Sequence, residues 1–296
     1  MRSGNFHGLQ TVAIENKFFR IETLAAAGPR IVRLIPKWTG ENLFAETPQF
    51  SVNAPYGEYH YYGGHRFWVA PESFSRSYAP DDVGASAREV AGGFRITGMV
   101  EPGTGLRKTI SIQIGSEQPF IIVKHRLENF GKATIKLAPW AITMLKPGGA
   151  AILPQQIGNV DDDGLLPNRR FALWPFTRWD DSRLKLGDEF IIVRSDSTTG
   201  PFKLGYFNPR GWLGYVYHDV MFIKRFGARR DEEYPDCGCN CEVYADARSL
   251  ELETLGPLVE LAPKMDVIHT ETWEAHNINN LPKELFEGRS MREILA

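Results

Sequence analysis

Leu250-Glu251-Leu252-Glu253-Thr254-Leu255-Gly256-Pro257, followed by Thr270-Glu271-Thr272-Trp273, decides how this chain folds. In a strand, side chains alternate faces with a period of two, so Leu250 and Leu252 take one side while Glu251 and Glu253 share the other. With a rise of about 3.3 Å per residue, the two carboxylates stand roughly 7 Å apart on one surface. Such a surface can hydrogen-bond a polyol or take up a proton. From the pattern alone it is more often the watered side of an antiparallel sheet.

The same texture extends outward. Short β-like runs separated by turn residues recur at Gln10 to Ile14, Phe18 to Leu24, Ile31 to Pro36, Phe94 to Met99, Arg107 to Ile114, Phe120 to Glu128, Ala133 to Met144, Phe190 to Val193, Lys203 to Asn208, Trp212 to Phe226, Cys241 to Ala245, Ser249 to Leu255 and Met265 to Ala275. Ile121, Val123, His125 and Leu127 alternate with Ile122, Lys124, Arg126 and Glu128, the pattern of a half-buried strand. Gly-Pro punctuation at Ala27-Gly28-Pro29, Lys146-Pro147-Gly148-Gly149, Asn208-Pro209-Arg210-Gly211 and Leu255-Gly256-Pro257 marks turns. Only Leu281 to Leu295, with Pro282 near an N1 position, reads as a short C-terminal helix. The fold class is therefore all-β, and so many antiparallel strands must stack or close to avoid long exposed edges. No internal repeat and no linker rich in Pro, Gly or Ser divides the chain, so 1–296 reads as a single domain.

Composition narrows the function. Against 34 basic residues stand 36 acidic ones, a net charge of -2 that gives no global field for nucleic acid or an anionic membrane. The segment Met1 to Gln10 is polar, and no run approaches the length of about 20 apolar residues needed to span a bilayer, so a cytoplasmic protein is expected. Cys237, Cys239 and Cys241 are an odd count in one short run, read as a buried or half-buried thiol cluster on one strand face rather than a disulfide framework. Asp161-Asp162-Asp163-Gly164 lacks the later Glu of a calcium loop and reads as a solvated acidic turn. No metal and no cofactor is expected.

Three groups of residues carry a resemblance. Leu252-Glu253-Thr254 with Pro257 and the Thr270 to Trp273 strand resembles the closing strands of aldose 1-epimerases, the galactose mutarotases. Phe19-Arg20-Ile21, Gly28-Pro29-Arg30-Ile31 and Glu41-Asn42-Leu43-Phe44 follow one another as in the opening of that family. Gly63-Gly64-His65-Arg66-Phe67-Trp68-Val69-Ala70-Pro71-Glu72 is similar to the Gly-Gly-x-Arg-x-Trp-x-x-Pro-Glu motif of one branch of the superfamily. The resemblance implies a galactose mutarotase-like β-supersandwich of two large antiparallel sheets, whose concave face holds a small-molecule carbohydrate. It also implies that Glu253 is the base that removes the anomeric proton.

The acid is less plainly marked. The family's Asn-His-x-Tyr-Phe-Asn-type motif has no counterpart after Leu127-Glu128-Asn129, since Leu137 to Met144 contains no histidine. His65, whose imidazole titrates near neutrality, is the expected acid, with His218 the next to consider. Gly63 and Gly64 are expected to let the backbone approach a ligand. Arg66 offers a planar fork of donors, or a partner for Glu72, and Trp68 an apolar plate, or core. Glu72, Trp140, Glu251 and Lys224 complete the candidate substrate-binding set, while Asn240 and Glu242 are placed near the same cleft. The alternative reading is a noncatalytic sugar-binding β-sandwich module.

Overall fold

The computed structural model describes residues 2–196, 200–281 and 294. Among these, antiparallel strands form one sheet of 12 strands and a second of 10. The strands that position the site run side by side through the first sheet, in the order Arg30–Pro36, Gly57–Ala70, Ile135–Leu145, Leu250–Leu255, Cys241–Ala245, Phe202–Tyr206 and Phe171–Leu173. In the second sheet, Val220–Phe226, Asp266–Asn277, Phe120–Asn129 and Leu106–Gln113 lie in that order.

Alternation explains how the sheets stack. Leu250 and Leu252 from the first sheet meet Val123, Phe222 and Trp273 from the second in one apolar core. Each fully buried side chain of this kind stabilises the fold by about 1.5–3 kcal/mol. The opposite faces of the first-sheet strands carry a separate cluster of Tyr59, Trp68, Trp140, Ile142 and Leu255, joined by Tyr78 from the turn after Gly57–Ala70. The first sheet is thus greasy inside and aromatic outside.

The strand pattern departs from the sequence reading in several places. Trp212 to Phe226 is a hairpin, Trp212–Tyr217 and Val220–Phe226, with His218 at φ 50 in its turn. The 14-residue strand Gly57–Ala70 continues through the Gly-Gly pair expected to let the backbone approach a ligand. Tyr62, Gly63 and Gly64 all have positive φ, at 55°, 89° and 68°. Here the strand leaves its pairing with Glu46–Ala54 and takes up pairing with Ile135–Leu145. A Cβ on Gly63 would sit 2.1 Å from the Ala45 carbonyl oxygen, and one on Gly64 2.1 Å from that of Ile31. These glycines therefore serve a close approach of neighbouring strands, not of a ligand.

The cysteines do not share a strand face: Cys241 lies in a strand, Cys239 is buried beside it and Cys237 is exposed in the turn at Pro235–Gly238. Asp161 folds its carboxylate back on the amides of Leu165 and Leu166, as a turn aspartate does. The helix expected over Leu281 to Leu295 lies outside the described residues except for Leu281 and Ile294, which pack on the outer face of the second sheet with Ile152 and Ile223.

Candidate functional site

Strand register assembles the site. Glu253 stands opposite Ile142 on one side and Glu242 on the other. Ile142 in turn pairs with Arg66, and Glu242 with Gly205. Arg66, Ile142, Glu253, Glu242 and Gly205 therefore form one row across the outer face of the sheet. In flanking rows Trp68 pairs with Trp140 and Trp140 with Leu255, while Glu251 lies between Met144 and Tyr244. Residues 185 positions apart in sequence meet because side chains of equal parity in paired strands share a face.

The row opens into a cleft of about 240 Å³ lined by Arg66, Trp68, Glu72, Trp140, Glu251 and Glu253 together with Lys203. Six of the eight residues expected to form the site are thus brought together. Tyr61, Trp174 and Phe176 widen its aromatic wall. The volume is below the ~300–1,000 Å³ usual for drug-sized ligands.

Within the cleft, each polar group is held. Arg66 donates from Nη1 and Nη2 to the two oxygens of Glu251, at 3.2 and 3.0 Å, and stacks 4.4 Å from the Trp68 ring centroid. Its partner is therefore Glu251 and not Glu72, which accepts a hydrogen bond from the Tyr78 hydroxyl. Burial works against the Arg66 charge, yet Glu251 outweighs it and the guanidinium pKa is raised. Burial also raises the Glu251 pKa, an effect that Arg66 only partly reverses and the neighbouring Glu253 reinforces. The bidentate fork is the geometry of an ionised pair.

Glu253 is fixed through one oxygen. Its Oε2 accepts from Trp140 Nε1 at 2.8 Å and from Lys203 Nζ at 3.0 Å. Its Oε1 receives no hydrogen bond from the described residues. Lys203 is a cleft residue the sequence reading missed, as are Tyr61, Trp174 and Phe176: it lies 4.6 Å from the ring centroids of both Trp140 and Trp174, and 2.7 Å from Glu242 Oε2. Burial disfavours its charge, but Glu242 and Glu253 more than compensate and its pKa is raised. Because Phe202-Lys203-Leu204 reads as ordinary strand, only the strand order could have revealed it.

His65 and Lys224 are elsewhere, correcting their expected position. His65 is adjacent to Arg66 in a strand and so points to the opposite face, into the core between the sheets, where it is 0% exposed. His125 Nδ1 lies 3.1 Å from the His269 carbonyl, an acceptor only, so Nδ1 carries the hydrogen and Nε2 is bare. His65 Nε2 then donates to it across 2.7 Å, and His65 Nδ1 accepts from the Thr143 hydroxyl at 2.8 Å. Lys224, also 0% exposed, reaches Glu271 at 3.0 Å and the carbonyls of Ala141 and Leu252 in the first sheet. Glu271 further accepts from Trp273 Nε1 at 2.7 Å and from the Thr254 hydroxyl, whose oxygen lies 2.8 Å from His269 Nε2. His65, His125 and Glu271 bring three ligand-type atoms within 4.8 Å, but the imidazole pair and the Lys224 ammonium already engage the lone pairs a metal would need.

The two large stacked antiparallel sheets are a fold that galactose mutarotase-like proteins share. A galactose mutarotase-like protein from Lactobacillus casei superposes with a TM-score of 0.55 at 11% identity, covering 90% of this chain and 100% of the other. A candidate mutarotase from Salmonella typhimurium gives 0.57 at 10% identity, covering 93% of each chain. A candidate aldose 1-epimerase from Escherichia coli K12 gives 0.54 at 10%, covering 91% and 100%. No family model matches the sequence, and no curated protein matches it in sequence. Among the described residues, no helix is long and apolar enough to cross a membrane.

Proposed function

We propose that the protein binds a small carbohydrate in the cleft and interconverts its anomers, with Glu253 as the base that takes the anomeric hydroxyl proton. The observation that carries this reading is the asymmetry of Glu253: Oε2 is tied to Trp140 and Lys203, while Oε1 is left without a bond inside an aromatic-walled cleft. A carboxylate so oriented is set to accept a proton from a bound hydroxyl. In this reading Trp68 and Trp140 lie against the C–H face of the sugar ring, and Arg66, Glu251 and Glu72 take its hydroxyls. The fold shared with mutarotase-like proteins supports the substrate class.

Polarimetry of freshly dissolved α-glucose and α-galactose tests it. Wild-type protein accelerates mutarotation, and Glu253→Gln loses about 10²–10⁴-fold of that acceleration, the usual contribution of a positioned base. Equal rates for the two proteins would remove the catalytic reading. The alternative of a sugar-binding module without turnover is favoured by one observation, the location of His65 in the core. Saturable calorimetric binding with no effect on mutarotation would establish it.

A further inference from the structure

Resting on that reading, we propose that Lys203 supplies the second proton of ring opening and that Glu242, buried behind it, is the positioning residue that holds and returns that proton. Ring opening needs an acid at the ring oxygen as well as a base at the anomeric hydroxyl. Among the described residues no imidazole lines the cleft, whereas Lys203 does, 3.0 Å from Glu253 Oε2. Base and acid so close together match two oxygens borne on one carbon.

Glu242 is the unusual group. It is 0% exposed, and neither of its side-chain oxygens receives a hydrogen bond of good geometry. Its close cation is Lys203 at 2.7 Å, which is already paired with Glu253. Placing a second carboxyl opposite Glu253 in the same row costs several kcal/mol unless it is paired or neutral, and room for it exists because position 205 is glycine. A Cβ there would come within 3.0 Å of Glu242 Cγ and 2.8 Å of Cys239 Sγ. The titratable groups around Glu242 are Lys203, Glu253 and Asp236, with the thiols of Cys239 and Cys241. Burial first, then the Glu253 and Asp236 charges, raise its pKa well above the usual range against the pull of Lys203. With Glu242 protonated, the charge that holds the Lys203 ammonium is that of Glu253, and the three groups together are electrically neutral.

The protons balance. As the bond between the anomeric carbon and the ring oxygen breaks, the anomeric hydroxyl proton passes to Glu253 and its oxygen becomes the carbonyl. The ring oxygen takes a proton from Lys203, and the resulting amine takes the carboxyl proton of Glu242. Ring closure on the other face of the carbonyl returns each proton along the same path. No outside reactant enters.

Glu242→Gln keeps the shape and cannot ionise. It is expected to lower kcat about 10–100-fold with KM within about threefold, to displace a limb of the kcat pH profile, and to remove a protonated-carboxyl carbonyl band from the infrared spectrum at pH 7. Lys203→Arg keeps the charge but cannot release a proton, and it is expected to lose kcat with KM retained even if Glu242→Gln does not fold. If Glu253→Gln is inactive while Glu242→Gln and Lys203→Arg keep wild-type kcat and pH profile, this inference is overturned and the parent reading stands. A wild-type spectrum without the carboxyl band also overturns it. If Glu253→Gln turns over like wild type, the parent reading falls and takes this one with it.

Discussion

Lys224→Met is expected to destabilise the protein by about 3–5 kcal/mol, the usual consequence of leaving the partner of a buried ion pair uncompensated. The substitution preserves most of the side-chain bulk but strands Glu271, which is 0% exposed and holds its charge within the core. Burial lowers the Lys224 pKa against the pull of Glu271, and that of Glu271 is lowered as well, because Lys224 and its other neighbours outweigh desolvation. Both directions are compatible with an ionised pair at neutral pH. Replacing both residues, Lys224→Met with Glu271→Leu, should recover a large part of the loss, because no unpaired charge then remains. Urea unfolding at pH 7 measures both. A single variant as stable as wild type would mean that the buried pair does not stabilise the core.

The second large effect is on acid stability. Burial holds the pKa of His65 well below that of a free imidazole, that of His125 down to about 4 and that of His269 down to about 3. Coulombic repulsion from His125 and Lys224 adds to burial at His65. At His125 and His269 the Glu271 charge opposes burial without overcoming it. Since the folded-state values lie below the unfolded one, the unfolded chain binds more protons. The stability these groups contribute is full above pH ~6.5 and drains as pH falls towards their folded-state values. Each histidine contributes a slope of about 1.4 kcal/mol per pH unit, so the three together give about 4 kcal/mol per unit. Glu242 and Glu251, with raised pKa values, act in the opposite sense as the pH falls. The histidine share is therefore read as a difference: His125→Gln should be less stable at pH 8, yet lose stability by about 1.4 kcal/mol less per unit between pH 6 and pH 4.5. Parallel stability curves for the two proteins would contradict the buried neutral assignment.

What the sequence made legible and what it hid follow from one distinction. Local alternation is written in the chain, so the Glu251 and Glu253 face and the Phe120 to Glu128 strand could be read directly, whereas the choice of two stacked sheets over a closed barrel came from the family resemblance. Strand order and register are long-range properties. Nothing local to Lys203 or Glu242 says that Gly205, Glu242, Glu253, Ile142 and Arg66 form a row. His65 was misplaced for a nearer reason. Once Gly63-Gly64 is read as a place where the backbone approaches a ligand, and not as the middle of a strand, the parity of the residues after it is lost. In the continuous strand Gly57–Ala70, His65 shares its face with Phe67 and Val69, whereas Arg66 shares its face with Trp68. Lys224 carried a similar signal, since Phe222 and Phe226 have its parity and both belong to the inter-sheet core.

Indole N–H resonances test the cleft itself. The chain has seven tryptophans, of which Trp68, Trp140 and Trp174 line the cleft, while Trp38, Trp179, Trp212 and Trp273 do not. Titrating ¹⁵N-labelled protein with a panel of aldoses and short oligosaccharides should shift the Trp68, Trp140 and Trp174 signals saturably with at least one sugar, leaving the other four in place. Saturable shifts confined to those four, or an unmoved spectrum across the whole panel, would contradict carbohydrate binding at Glu251 and Glu253.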